Sequence, residues 1–362
     1  MDIPQYIDQL LEHCLLQDAS DLHFEPFEHH AVIRYRVDGF LKTYEKIPIS
    51  QHTLILSRMK VLADLKIGER RLPQDGAISI SDRTPAIDLR ISTLPTVYGE
   101  KMAIRILKKE PKYKDIDELG MHPLVKVQFQ KSLKQTTGLI LLTGPTSSGK
   151  TTTLYTALQF LNQTHRNITT LEDPVEYKID GINQVQVNSQ IGLNFGKGLR
   201  AILRQDPNVI MIGEIRDHET ANIAIQSALT GHLILSSLHT YDTASAITRL
   251  LDMGIEPYLI ASSIRLILAQ RLVRKRCSCN GQNSECLICG GDGYQGRFAV
   301  FEMLPIDDSI HDLILQRASV HQIRDKMKEM NLKRLQDEVL EQVQLGKTTM
   351  EEFHRVMVTD YE

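Results

Sequence analysis

Strand-like and helix-like stretches alternate through the second two-thirds of the chain. This predicts an α/β fold with a largely parallel sheet, preceded by a smaller α+β domain. Three observations carry the expectation. Strand signals recur at residues 139–142, 168–171, 184–187, 209–212 and 233–238, several of them short all-apolar runs suited to strands buried on both faces. Helical spacing intervenes, as with Leu154, Ala157, Leu158 and Leu161. A polar, Pro-containing stretch at 108–117 separates this block from what precedes it. The expected division is therefore 1–107, a linker at 108–117, and 118–362.

The 362 residues give room for two or three domains. Hydrophobic residues make up 42% and charged residues 24%, an ordinary balance for a globular protein. A net charge of −3 argues against a nucleic-acid-coating protein, and no sequence-specific nucleic-acid binding is expected. No apolar run approaches the roughly 20 residues that span a bilayer. The first residues, Met1-Asp2-Ile3-Pro4, lack the basic and apolar regions of a secretory signal. The expectation is a cytoplasmic protein that meets the membrane only through partners.

In the first block, 1–16 has helical spacing and Cys14 falls on its apolar side, which makes it a core thiol. Residues 19–26 run from a loop into a strand. Residues 31–37 and 40–44 form a hairpin around Asp38-Gly39. A helix is expected over 51–67, from Leu54, Ile55, Met59, Leu62 and Leu65. Gln74-Asp75-Gly76 suggests a turn before a strand at 77–80, and strands follow at 87–92 and 101–107.

The second block opens with a helix near 121–135 and enters the motif on which the chain turns: Gly144-Pro145-Thr146-Ser147-Ser148-Gly149-Lys150-Thr151, with Thr152 next. This is a full Walker A pattern in its required setting, between a strand and a helix. Glycines let the backbone N–H groups wrap a phosphate, and the helix N-terminus adds positive potential. Lys150 can reach the β- and γ-phosphates of ATP, and Thr151 offers a hydroxyl to Mg²⁺.

Acids are expected at the ends of the following strands, where ligands bind in such sheets. Glu172, Asp173 and Glu176 follow 168–171 and can hold Mg²⁺ through water or polarise the attacking water. Val209-Ile-Met-Ile212-Gly213-Glu214 resembles a Walker B strand, with Gly213 where an Asp often stands. Glu214 is then the general base or part of the Mg²⁺ shell. Arg216 and Asp217 could simply pair with each other. Asp217 can also cap the helix that ends at Gly231, and Asp242 the helix over 244–253. His239, after 233–238, falls at the same sheet edge and could sense or hydrogen-bond the γ-phosphate.

Cys277, Cys279, Cys286 and Cys289 lie within 13 positions, which in a reducing compartment reads as a tetrahedral Zn²⁺ site. Before them, Arg271, Arg274, Lys275 and Arg276 form a basic run, either a solvated face or a partner or phosphate contact. Beyond, 297–301 is strand-like and 309–357 helical in pieces.

Together these stretches resemble the secretion ATPases of the type II secretion and type IV pilus superfamily, over nearly the whole chain. The Walker A segment, Glu172-Asp173-Pro174-Val175-Glu176, Arg204-Gln-Asp206 through Glu214-Ile-Arg216-Asp217, and Thr230-Gly-His232 through His239-Thr240 carry the likeness. Ala19 through Pro26 and Arg71 through Gly76 match motifs of the family's second N-terminal domain. The resemblance implies a PAS-like first domain and a RecA-like ATPase domain. It also implies a homo-hexamer that works with a polytopic inner-membrane platform protein and indirectly with pilin-like subunits.

By motif position the resemblance further implies that Arg90, Arg105, Arg200, Arg204 and Arg216 reach the nucleotide phosphates. The alternative for Arg90 and Arg105 is a pairing with Asp88 or Glu100. The chain begins at the family's second N-terminal domain, and its tetracysteine, shortened but kept, points to the assembly branch. Within that branch a short tetracysteine member most resembles the competence motors, which drive DNA uptake. General type II secretion or type IV pilus assembly is the alternative. A P-loop small-molecule kinase fits the cysteine insert and first block poorly. A non-hydrolysing scaffold fits poorly with intact Lys150, Thr151 and Glu214.

Overall fold

The computed structural model describes residues 2–81, 86–108, 113–282, 286 and 289–358. Of the expected linker, residues 109–112 lie outside the described residues. So do 283–285, 287 and 288 of the cysteine stretch. The chain divides into two compact units, Met1–Pro111 and Lys112–Glu362. Among the described residues no helix is long and apolar enough to cross a membrane.

The first unit starts with α1 (Ile3–Leu16), which buries Tyr6, Ile7, Leu10, Leu11 and Cys14 along one stripe. There follow β1 (Asp21–Pro26), β2 (Ala31–Val37), β3 (Phe40–Ile47), α2 (Ile49–Leu62), β4 (Gln74–Ile80), β5 (Ile87–Thr96) and β6 (Gly99–Lys108). The strands make one antiparallel sheet in the order β3-β2-β1-β6-β5-β4. Its inner face shares a core with both helices, for example Phe24, Ile33, Ile55, Met59, Leu89 and Ile104.

Two expectations fail here for stated reasons. The helix at 51–67 stops at Leu62, because Asp64 takes a left-handed conformation and Leu65 N–H turns back to the Lys60 carbonyl. Leu65 still packs on the core, which is why its spacing looked helical. Gln74-Asp75-Gly76 is strand, not turn. A Cβ on Gly76 would lie 2.8 Å from the Ala63 carbonyl oxygen, so glycine serves a close backbone approach.

The second unit contains α3 (Pro123–Leu133), β7 (Gly138–Thr143), α4 (Lys150–Leu161), β8 (Ile168–Glu172), β9 (Asn183–Gln186), α5 (Phe195–Ile202) and β10 (Val209–Ile212). Next come α6 (His218–Leu229), β11 (Leu233–Leu238), α7 (Thr243–Asp252), α8 (Pro257–Ser263), β12 (Ile264–Arg276) and β13 (Tyr294–Pro305). Four helices close it: α9 (Asp308–Leu315), α10 (Val320–Glu329), α11 (Leu335–Gln344) and α12 (Met350–Val358). The sheet order is β13-β12-β7-β11-β10-β8-β9, parallel throughout except for β13 against β12.

Both faces of this sheet are covered, as the all-apolar runs predicted. Leu139 and Leu141 of β7 join the core under α6 and α7, whereas Ile140 and Leu142 join the core under α3 and α4. Asp217 and Asp242 cap α6 and α7 by accepting from Thr220 N–H and Ser245 N–H, both at 2.8 Å.

β12 was not expected at all. Its second half is the basic run, and Arg271 and Arg274 are 3% and 7% exposed, so neither lies on a solvated face. The Arg274 backbone N–H and Nε each donate to Glu352 of α12 at 2.8 Å, and its guanidinium lies over the Tyr294 ring.

Within the first unit Lys60 is 1% exposed; its Nζ lies 2.6 Å from Glu100 Oε1 and donates to the Glu69 carbonyl at 2.7 Å. Breaking a buried pair strands its partner's charge. Lys60→Met should therefore destabilise the first unit by about 3–5 kcal/mol, while Lys60→Met with Glu100→Leu should recover most of the loss. Denaturant unfolding of the two variants would check this; a single variant as stable as wild type would contradict it.

Candidate active site

The parallel register sets the site. β7, β8, β10 and β11 run the same way, so the residues after Thr143, Leu171, Ile212 and Leu238 emerge at one sheet edge. The loop from Gly144 to Gly149 closes over that edge and leads into α4 at Lys150. A Cβ on Gly144 would fall 2.6 Å from the Gln270 carbonyl oxygen, so only glycine leaves β7 along this path. Pro145, Thr146 and Ser147 are exposed, while Ser148 and Lys150 are buried. Thr151 and Thr152 stand in the first turn of α4.

Lys150 Nζ donates to the carbonyls of Gly144 and Pro145 at 2.7 and 2.9 Å, so the loop's own backbone holds the amine. Burial pushes its pKa down to about 8; the charge of Glu214 opposes that shift and the charge of Arg271 adds to it.

Glu214 lies just past β10. It accepts from His239 Nε2 at 2.9 Å and from Arg216, whose guanidinium also lies 3.9 Å from Asp173. Burial works to raise the Glu214 pKa, but Arg216 and His239 prevail and hold it below the usual carboxylate range. Asp173, Arg216, Glu214 and His239 thus form one linked chain across three strand ends. Arg216 does not pair with Asp217, which is the helix cap.

The acids after β8 divide. Glu172 is turned inward and 3% exposed. It accepts from Thr170 Oγ1 at 2.5 Å, from Gln184 Nε2 at 3.3 Å and from the Tyr155 hydroxyl of α4. Burial raises its pKa despite these donors. Its place is in a polar cluster behind the helix. Glu176 N–H donates to the same Tyr155 hydroxyl at 3.2 Å. Asp173 is the acid of this group that joins Glu214.

Arginines named from the sequence also separate. Arg200 pairs with Glu219 at 2.6 Å and Arg204 donates to the Arg200 carbonyl at 2.8 Å; among the described residues neither is bonded to the phosphate loop. In the first unit, Arg90 of β5 stands directly opposite Arg105 of β6. Arg105 pairs with Asp21 at 3.2 Å, not with Asp88 or Glu100; Glu100 is the partner of Lys60.

Five successive residues after β11 each bond to a different part of the unit. His239 bonds Glu214. Thr240 accepts from Thr143 Oγ1 through its carbonyl at 2.7 Å, and the Tyr241 carbonyl accepts from Arg271 at 2.8 Å. Asp242 accepts from Arg324 of α10 at 2.8 Å, and Thr243 Oγ1 donates to Glu302 of β13 at 2.5 Å. Of these partners the sequence pointed only to Glu214 and Arg271. Hydroxyls such as Thr143 and Tyr155 lie inside strands and helices and leave no pattern to read.

The four cysteines gather at the end of the β12–β13 hairpin with their sulfurs within 4.8 Å of one another. Cys277 and Cys286 are 4.0 Å apart, Cys279 and Cys289 3.5 Å. Four thiolates about 2.3 Å from one zinc stand about 3.8 Å apart, so this donor set fits a tetrahedral ion. Among the described residues these sulfurs form their own cluster without other apolar side chains.

The model of the type II/IV secretion system protein family matches residues 1–355. The type II secretion system protein HxcR of Pseudomonas aeruginosa is 46% identical, over 97% of this chain and 76% of its own length. The type IV pilus assembly ATPase PilB of Thermus thermophilus is 42% identical, over 96% of this chain but 42% of its own length. Among solved structures, the ATPase DotB of Legionella pneumophila superposes with a TM-score of 0.77 at 21% identity, covering 98% of this chain and 96% of DotB, a likeness of fold.

The Lys150 amine should become half-deprotonated near pH 8, whereas exposed lysines titrate near 10.4. Amine-directed acylation followed by peptide mass spectrometry should show Lys150 labelling rise about two pH units before the exposed lysines. A profile that coincides with theirs would contradict the assignment.

Proposed function

The chain belongs to the type II/IV secretion system protein family and is an ATPase, and we propose that it hydrolyses ATP to drive a type II secretion or type IV pilus assembly machine. The observation that carries the reading is the meeting of Lys150, Glu214, Arg216 and His239 at one sheet edge around a complete phosphate loop. Lys150 and the loop N–H groups bind the β- and γ-phosphates, and Thr151 binds Mg²⁺. Glu214, held ionised, accepts a proton from the attacking water or holds a water on the metal. His239 orients that carboxylate. The relatives named above serve secretion and pilus assembly, so the general motor is put forward in place of the competence machine suggested by the sequence.

The working form in this proposal is a homo-hexamer on the cytoplasmic face of the membrane, held by a platform protein and serving pilin-like subunits indirectly. Arg90 and Arg105 contribute guanidinium groups to the phosphates, as do Arg200 and Arg204. Arg90 and Arg105 stand opposite each other on adjacent strands, and Arg105 pairs with Asp21. Zn²⁺ at Cys277, Cys279, Cys286 and Cys289 would tie the hairpin end together through four thiolates.

In a phosphate-release assay the wild-type chain should turn over ATP. Glu214→Gln should bind ATP normally and lose at least about 10²-fold in rate. Arg105→Ala should also slow turnover, and the rate per chain should rise with protein concentration as rings form. Wild-type rates from Glu214→Gln would remove the assignment of Glu214. Rates independent of concentration and of Arg105 would remove the ring.

Freshly reduced protein should carry about one zinc per chain by metal analysis, and chelation should lower the thermal midpoint. Cys286→Ser should lower it similarly while leaving ATP binding in place. Metal-free protein of unchanged stability would leave four free thiols.

A further inference from the structure

We infer that Arg271 is a positioning residue of the nucleotide site, standing behind the phosphate loop, tying β12 to the segment that carries His239 and lending the loop a buried positive charge. The inference deepens the ATPase reading and rests on it.

β12 runs parallel to β7, with Ala269 opposite Thr143. Gln270 and Arg271 therefore lie beside the point where β7 has already turned into the loop. Both are almost fully buried, at 2% and 3% exposure. An Arg271 guanidinium nitrogen lies 3.3 Å from where a Cβ on Gly144 would sit. Gln270 fills the rest of the wall. Its Oε1 accepts from Thr153 Oγ1 of α4 at 2.8 Å, and its Nε2 lies 2.7 Å from the Cβ position of Gly149.

The guanidinium donates to the carbonyls of Gln270 at 3.1 Å and Tyr241 at 2.8 Å. Tyr241 is two residues past His239. Arg271 therefore ties the strand that walls the loop to the segment that carries His239. A guanidinium suits this place because its fork reaches two acceptors at once and its charge survives burial. That charge is felt at Lys150. Keeping a cation out of water costs free energy, and a polyphosphate in the loop offsets part of that cost.

Two roles can be told apart. If Arg271 only braces the fold, its loss weakens every nucleotide ligand alike. If its charge acts on the phosphates, the loss grows with ligand charge. Binding of ATP, ADP and adenosine should be measured by calorimetry on the full chain as wild type, Arg271→Gln and Arg271→Lys. Arg271→Gln should weaken ATP by about tenfold, ADP by less, and adenosine not at all. Arg271→Lys keeps the charge and should keep the wild-type preference for ATP over ADP. Equal losses for all three ligands in Arg271→Gln, or no loss, would overturn the inference.

Should Arg271→Gln fail to fold, Arg271→Lys decides. A folded Lys variant that loses ATP and adenosine affinity together would overturn the role of the charge. A wild-type chain that binds ATP no better than adenosine would instead overturn the nucleotide site itself.

Discussion

The parallel pairing of β7 with β11 on one side and β12 on the other is the constraint on which the site depends. Thr143 closes β7 and bonds Thr240 just past β11, while Ala269 of β12 stands opposite it. A shift of either neighbour by one residue would turn its side chains to the other face of the sheet. Gln270 would then leave the phosphate loop, and the carbonyl of Thr240 would leave Thr143. Buried apolar residues on both faces fix the register. Core packing and site geometry are therefore one requirement, and the chemistry at the edge inherits its precision from leucines and isoleucines that touch no ligand.

Within this frame three buried or half-buried glutamates have different fates. Glu214 sits among cations and stays charged. Glu172 sits among hydroxyls and an amide, and burial raises its pKa. Glu302, fully enclosed, accepts from Thr243 and from Leu335 N–H, and burial raises its pKa as well. Only the first stands at the sheet edge beside the phosphate loop, bonded to His239 and Arg216. The other two fasten elements: Glu172 joins α4 to β8 and β9, and Glu302 joins α7 to α11. How each carboxyl is held is decided by its neighbours, and position along the strand pattern alone does not separate them.

This difference marks how far the sequence could be read. Apolar runs announced β7, β8, β10 and β11, and the spacing of Gly144, Gly149, Lys150 and Thr151 announced the loop between β7 and α4. Glu214 and His239 followed because parallel strands must end on one edge. Glu172 was indistinguishable from Asp173, since both follow the same strand and only the three-dimensional neighbours turn one inward. β12 was hidden for a related reason. Its Arg271 and Arg274 stand in a basic run that reads as either a solvated face or a partner or phosphate contact, and Gln270 carries no signal, yet each finds a partner inside: Tyr241, Glu352 and Thr153. Partners so far away in sequence leave no local pattern. Gly76 misled in the same way, because glycine marks a tight turn and a close backbone crossing alike.

The stretch from His239 to Thr243 has a consequence for how the chain can vary. Connections after strands usually accept insertions and deletions, since their residues face solvent and owe little to one another. Here each residue is matched to its own distant element, in order: Glu214, Thr143, Arg271, Arg324 and Glu302. Adding or removing one residue would shift the matches on one side of the change by one place. The segment behaves as a key whose teeth must keep their count, so its length is constrained as tightly as its composition.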